Sequence, residues 1–361
     1  MLNTTPIKTA ILGQGRSGYG IHYAWLRQVP ELFQIVAVAD LLPERCTEAA
    51  NEFGAECFPD YRELLANNEL EIDLIINALP SFLHPQATLD SLTKNYHVVC
   101  EKPLARTVAD FDQMVHTSEK VERLLLPFQN SRFVPYFTKL QEVLASGKLG
   151  RIINIRLNWS GYARRWDWQT IQEFWGGNLL NTGPHPVDHA VVLFGDQEPG
   201  IFCKLVSDNP FGDAENHCQL TLYGENAPIV DVVVSSLQAY PQGDTVNVSG
   251  TLGGLTGGST GLKWKYFDPK NAPEHVFNGS WSDKRGYCQE DLDWIEESWS
   301  NTSKRDLFDQ MCKSFYEDVY RLLVEGGNRI IKLDQVRRQI KIMEECHRQN
   351  PMPQFDKMFL K

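Results

Sequence analysis

Gly13, Gly15 and Gly18, with Gln14, Arg16 and Ser17 between them, stand in the spacing G-x-G-x-x-G directly after the apolar run Ile7 to Leu12. That pattern binds phosphate: the first glycine permits a tight turn, the second lets backbone approach a pyrophosphate, and the third lets helix and strand pack closely. The N–H groups that open the following helix donate to the phosphates. Asp40 closes a second apolar run, Gln34 to Ala39. A carboxylate there accepts from both hydroxyls of the adenosine ribose and repels a 2′-phosphate, which points to NAD rather than NADP. Arg45, close by in sequence, tempers that choice, and a lone aspartate at a strand end is otherwise a turn residue. Lys102, in Glu101-Lys102-Pro103, follows the run His97 to Cys100. This puts it at the carboxyl end of a strand, facing the crevice where open α/β sheets bind ligands. On physical grounds alone, a solvated surface lysine is the alternative.

The elements that must hold these residues alternate between Ile7 and Phe128. Strands are expected at Ile7 to Leu12, Gln34 to Ala39, Ile72 to Ala78, His97 to Cys100 and Leu124 to Phe128, separated by amphipathic helices. Pro30 closes the first helix, Gly54 follows the second, Asp60 with Glu63 caps a third, and Thr107 to Asp110 opens another. Apolar strands without strict alternation suit a parallel sheet covered on both faces, so the fold class is α/β and doubly wound. Beyond Gln129 the texture changes to alternating runs, Ile152 to Trp159, Gln219 to Tyr223 and Ile229 to Leu237, with closing helices from Asp306 to Val324 and Leu333 to His347. The expected division is 1–128, dinucleotide-binding, and 129–361, an α+β domain for substrate binding and oligomerisation. The glycine-rich segment Gly250 to Gly261 lacks a P-loop lysine and reads as a flexible turn between strands.

A net charge of −11 supplies no basic patch for nucleic acid or anionic membrane. No segment has the form of a secretory signal or a membrane span. The eight cysteines are scattered without the short paired spacing of zinc or redox sites. No metal is expected, and reduced thiols fit a cytoplasmic protein acting on a small molecule.

Taken together, Ala10 to Gly18, Asp40, Leu79-Pro80-Ser81-Phe82-Leu83-His84 and Glu101-Lys102-Pro103 resemble the glucose-fructose oxidoreductase, inositol dehydrogenase and rhizopine-catabolism (Gfo/Idh/MocA) family. Arg132-Phe133, Ser146 to Gly150 and Gly176 to Asp188 extend the resemblance over most of the chain. It implies a Rossmann domain followed by an open, mainly antiparallel sheet, with substrate held between that sheet and the nicotinamide. It implies Pro80, Ser81, His84, Glu101 and Lys102 at the cofactor beside the glycine loop and Asp40, and Lys102 and His185 as catalytic. The family carries Asp four residues before the histidine, where this chain has Asn181.

Oxidising a secondary alcohol sends hydride to nicotinamide while a base takes the hydroxyl proton. His185 is the natural base. Lys102 as an ammonium favours the developing alkoxide, or as a neutral amine relays the proton. Asn181 orients by hydrogen bonds but holds no charge. Tyr162, Arg164, Arg165, Trp166, Asp167, Trp168 and Trp175 crowd the stretch before Gly176. Aromatic faces cover a sugar ring while Arg and Asp bond hydroxyls; packing or a subunit contact is the other use of such residues. Tyr162, Arg164, Trp166, Trp175, Asn181 and His185 are therefore the expected substrate contacts. The expectation is an NAD-dependent dehydrogenase for a sugar, cyclitol or glycoside hydroxyl, the C3 hydroxyl of a glycoside included, working as a homo-oligomer. Two alternatives stand beside it: an NAD-dependent glycosidase that oxidises its sugar transiently, and an NAD-binding protein without turnover.

Overall fold

A computed structural model of the chain describes residues 5–240, 245–277 and 288–353. Six parallel strands form the first sheet: β1 (Ile7–Leu12), β2 (Phe33–Ala39), β3 (Glu56–Phe58), β4 (Leu74–Asn77), β5 (His97–Cys100) and β6 (Leu125–Pro127). They run in the order β3-β2-β1-β4-β5-β6. The order reverses between β1 and β4, so the loops after β1, β4 and β5 all open on one crevice at the carboxyl edge. Both faces of the sheet are covered, and β4 is buried at every position. Sequence reading missed β3: Glu56 and Cys57 are exposed and the strand has three residues, too short for a periodic signal.

The helical caps follow the sequence. Gly54 adopts a left-handed C-cap at φ 66°, and the side chains of Asp60 and Thr107 accept from Arg62 N–H and Asp110 N–H. The helix leaving the glycine loop departs from regular form: Gly18–Tyr23 is wound as a π-helix before Ala24–Leu26 resumes the α-helix.

The second sheet is open and eight-stranded, in the order β14-β13-β12-β11-β7-β10-β9-β8. Its strands are β7 (Ile152–Ser160), β8 (Gly200–Val206), β9 (His217–Tyr223), β10 (Ile229–Ser235), β11 (Val246–Gly250), β12 (Gly253–Gly258), β13 (Gly261–Tyr266) and β14 (Ile295–Ser300). Among the described residues only β7 and β10 of this sheet pair in parallel. One face, with Leu220, Leu222, Val230 and Val232, is buried under the helices Pro184–Phe194 and Leu333–Gln349.

The segment Gly250 to Gly261 is not the flexible turn expected from its glycines, because β12 occupies half of it and its first and last residues belong to β11 and β13. Crowding explains the glycines: a Cβ at Gly253 would meet the Lys265 carbonyl oxygen at 2.1 Å, and Gly257 sits at φ 148°. Among the described residues no helix is long and apolar enough to cross a membrane.

The helix Leu307–Val324 packs against the first sheet and its dinucleotide helix. Tyr316 stacks on Trp25 at 5.0 Å and meets Phe33 edge-on at 5.5 Å. All three rings are buried, each contributing roughly 1.5–3 kcal/mol of transfer free energy.

Candidate active site

The glycine loop is shaped for a ligand on one side only. A Cβ on Gly13 would lie 2.7 Å from Ala78 O and one on Gly18 would lie 1.8 Å from Gly13 O, so both are packing positions. Gly15 differs: its nearest neighbour is the tip of Arg45 at 4.0 Å, which leaves its face open. Arg16 projects from the loop, exposed and without an ion pair among the described residues. The Gln14 side-chain amide is buried with neither polar atom bonded. Open backbone, a free guanidinium and an unpartnered amide around one turn fit a dinucleotide pyrophosphate.

Asp40 lies at the tip of β2 beside that turn. Its Oδ2 accepts from Gln14 N–H at 2.7 Å, its Oδ1 from Leu42 N–H at 2.9 Å, and Arg45 Nη1 stands 3.4 Å away. The carboxylate thus braces the glycine loop, while retaining lone pairs for ribose hydroxyls.

Two expected cofactor contacts, His84 and Glu101, are bonded within the protein. His84 is buried, its Nδ1 2.8 Å from Pro103 O and its Nε2 2.8 Å from Leu79 O, so it ties the loop after β4 to the loop after β5. Neither nitrogen is left for a ligand. Glu101 is also buried: Oε2 accepts Lys102 N–H at 3.0 Å, and Oε1 lies 3.3 Å from His22 Nε2. Burial works against this carboxylate, yet His22, Lys102 and His84 hold its pKa down at about 2. Pro80 is exposed and Ser81 nearly buried at the crevice edge. Asn77, unremarked in the sequence, anchors this loop by donating to His84 O and Thr88 Oγ1, each at 3.0 Å.

Lys102 and the second sheet's residues meet at this edge. The Lys102 ammonium donates to Asn181 O at 2.7 Å, linking the loop after β5 to the short helix Asn178–Asn181. Burial lowers the Lys102 pKa; Glu101 opposes that, and Arg16 and Arg165 add to it. The Asn181 side-chain amide makes no hydrogen bond to protein among the described residues and borders a cleft of about 620 Å³, counted out to its open mouth. Tyr162, Arg164, Arg165 and Gln169 line the same cleft. Trp166, 77% exposed, Trp175, held at φ 58°, and His185 do not line it, so those three expected substrate contacts lie outside its lining. Arg165 is paired with Asp167, whereas Arg164 rests its guanidinium over the Phe211 ring at 5.3 Å.

His185 opens the helix Pro184–Phe194. Its ring stacks on Trp159 at 5.8 Å, and Nδ1 lies 3.1 Å from Ser131 Oγ. Nε2 has no protein partner among the described residues. Burial, and then the neighbouring charge of Lys102, push its pKa down to about 3. The imidazole is therefore neutral over the working range, as an acceptor of a proton must be. One turn on, Asp188 forms a buried bidentate pair with Arg132 at 2.6 and 2.7 Å, which fixes the helix against the turn carrying Ser131. Nothing in the sequence singled out Ser131, because a serine beside an arginine has no signature of its own. Among the described residues no three metal-ligating side chains cluster.

Comparison with known proteins gives the family and the fold. A model of an oxidoreductase family with an NAD-binding Rossmann fold, GFO/IDH/MocA, matches residues 7–128, and one of the GFO/IDH/MocA C-terminal domain matches residues 137–256. An uncharacterized oxidoreductase of Schizosaccharomyces pombe is 25% identical, covering 95% of this chain and 97% of its own. Myo-inositol 2-dehydrogenase of Thermotoga maritima is 26% identical, covering 58% of this chain and 61% of its own. Among solved structures, the WlbA dehydrogenase from Bordetella pertussis, in complex with NADH and UDP-GlcNAcA, superposes with a TM-score of 0.74 at 19% identity, covering 97% of this chain and 99% of its own.

Proposed function

Because the chain belongs to the GFO/IDH/MocA oxidoreductase family and carries its NAD-binding Rossmann domain, we propose that it oxidises a secondary hydroxyl of a sugar, cyclitol or glycoside to a ketone. The observation that supports this reading is the bond from the Lys102 ammonium to Asn181, which lines the cleft, together with a buried His185 that feels the charge of Lys102 and keeps one ring nitrogen unpartnered among the described residues. NAD, when bound, accepts the hydride.

The chain's own residues do the rest. Neutral His185 takes the hydroxyl proton at Nε2, its ring held by Trp159 and Ser131. The Lys102 ammonium donates to the substrate oxygen and favours the alkoxide as it forms. The Asn181 amide bonds a neighbouring hydroxyl; lacking a charge, it leaves Glu101 as the carboxylate that supports the ammonium. Tyr162 and Arg164 at the cleft supply an aromatic face and a donor for a ring substrate, a glycoside oxidised at C3 among them.

Asp40 supports NAD over NADP. Asp40→Ala is expected to lower the NADH-to-NADPH affinity ratio about tenfold, the worth of one or two ribose hydrogen bonds to a carboxylate. Both affinities fall somewhat, since Gln14 N–H loses its acceptor. Fluorescence titration reads the ratio, and an unchanged ratio defeats the ribose assignment.

We also propose a homo-oligomer. The outer face of the second sheet bears exposed Phe202, Tyr223 and Ile229 on adjoining strands, an apolar surface suited to a second copy. Light scattering at assay concentration tests this.

The reading as a whole is tested by screening sugars, cyclitols and glycosides with NAD for reduced-nicotinamide absorbance, with mass analysis of products. A ketone formed with equimolar NADH supports it. Cleavage of a glycoside without net NADH would replace it with transient-oxidation glycosidase chemistry.

A further inference from the structure

We infer that His22 is a positioning residue: it holds Glu101 in place behind Lys102, so that the lysine's place at the reacting oxygen is set from inside the dinucleotide helix. This rests on the role proposed for Lys102. His22 is fully buried on the π-helical stretch Gly18–Tyr23, which begins at the last glycine of the phosphate loop. A π-helical turn inserts an extra residue and rotates its side chain, and such turns recur at functional sites. Here the rotated ring lies between Tyr316 and Glu101: Nδ1 is 2.5 Å from the Tyr316 hydroxyl and Nε2 is 3.3 Å from Glu101 Oε1. Phe128 meets the ring edge-on at 4.5 Å and Phe315 packs beside Tyr316 at 5.3 Å. The ring is enclosed and cannot swing away.

The chemistry of the partners sets the direction of the contact: an ionised carboxylate only accepts, so the imidazole nitrogen facing Glu101 Oε1 is favoured when it carries a hydrogen, while the other nitrogen is bonded to the Tyr316 hydroxyl. Glu101 in turn accepts Lys102 N–H, and the Lys102 ammonium donates to Asn181 O. A line of contacts thus runs from Tyr316 on the helix Leu307–Val324 through His22 and, at 3.3 Å, Glu101 to the backbone of Lys102, whose ammonium bonds Asn181 at the rim of the substrate cleft.

The effect of cutting it has a sign. The groups acting on Lys102 are Glu101 on its own loop, Arg16 on the glycine loop and Arg165 beyond β7, with His84 and His185 flanking it. Of these only Glu101 favours the ammonium. Glu101 has His22, Lys102 and His84 for support, and Cys312 beside it. A buried carboxylate deprived of a donor takes up a proton or turns away. Lys102 then loses its one favourable charge and titrates at lower pH.

The test reads Lys102 directly in the whole protein, without substrate or cofactor. Acetic anhydride pulses across a pH series, with mass quantification of the peptide containing Lys102, give its titration midpoint. His22→Phe, which fills the space but offers Glu101 no polar nitrogen, is expected to lower the midpoint by about one pH unit, the scale of losing one close polar neighbour of a buried charge. His22→Gln, whose amide N–H still donates, is expected to recover at least half of the shift. Tyr316→Phe, which removes one hydroxyl, is expected to shift the midpoint the same way by less. Once a substrate is known, His22→Phe should lower kcat about tenfold with the KM for NAD unchanged. An unmoved midpoint in His22→Phe overturns the inference; if that variant does not fold, an unmoved midpoint in Tyr316→Phe overturns it. Labelling requires no turnover, so a failed substrate screen counts against the proposed reaction and leaves this result readable.

Discussion

Replacing Lys102 with methionine is expected to lower turnover roughly 10³-fold, the usual scale for losing an electrostatic or proton-transfer partner at a reacting oxygen. NADH binding should stay within about threefold of wild type, because uniform binding is not what the ammonium supplies. The lysine is not needed to hold the chain together: its only side-chain hydrogen bond among the described residues goes to Asn181 O. The pH profile carries the sign. His185 is neutral from a pKa of about 3 upward and contributes no acid limb in the working range. Lys102 has its pKa lowered from the ordinary 10.5 by burial. Its ammonium is lost as pH rises through that lowered value, so oxidation at saturating NAD should be level on the acid side and fall on the alkaline side. A rate that climbs through the same interval would assign proton acceptance to the neutral amine instead. Wild-type turnover in Lys102→Met on an identified substrate would sink the mechanism.

The second large effect is on stability. Asp188→Ala is expected to cost about 3–5 kcal/mol, the penalty for leaving a buried guanidinium without its carboxylate. Asp188 is fully buried and Arg132 is 7% exposed, so water cannot make good the loss. Arg132 Nη1 also donates to Gln335 Oε1 at 2.8 Å, so the disturbance reaches the helix Leu333–Gln349. Urea unfolding should show a lower midpoint at nearly unchanged slope. The double change Arg132→Met with Asp188→Leu should regain much of the loss, since it removes both charges together. A single mutant within about 0.5 kcal/mol of wild type would show that the pair is not what fixes this helix.

Much of the crevice was legible in the sequence because its devices are local. The glycine spacing, the aspartate at a strand end and the lysine after an apolar run each need only a few neighbouring residues to be recognised. His84 and Glu101 were found by the same route, but sequence does not show that burial turns both toward protein partners. Ser131 and His22 could not be read at all. Each acts through a partner 54 or 294 residues away, and nothing local marks a residue whose use depends on a distant one. The second sheet was half legible. β9 and β10 alternate cleanly, whereas β12 is glycine where strands crowd, which suppresses the pattern that identifies a strand.

The docking of Leu307–Val324 on the first sheet bears on the order in which the protein acquires its structure. Trp25, Phe33 and the His22 ring have their cover only after some 280 further residues have been made, counting from Phe33 to Tyr316. At a synthesis rate of about 5–20 residues per second, the emerging nucleotide-binding half would wait many seconds with an apolar seam open. Closing so long a loop is also entropically slow and raises the contact order of the whole chain. A fragment ending near Phe128 should accordingly be sticky and poorly cooperative. The same fragment should gain order when the missing helix is supplied in trans.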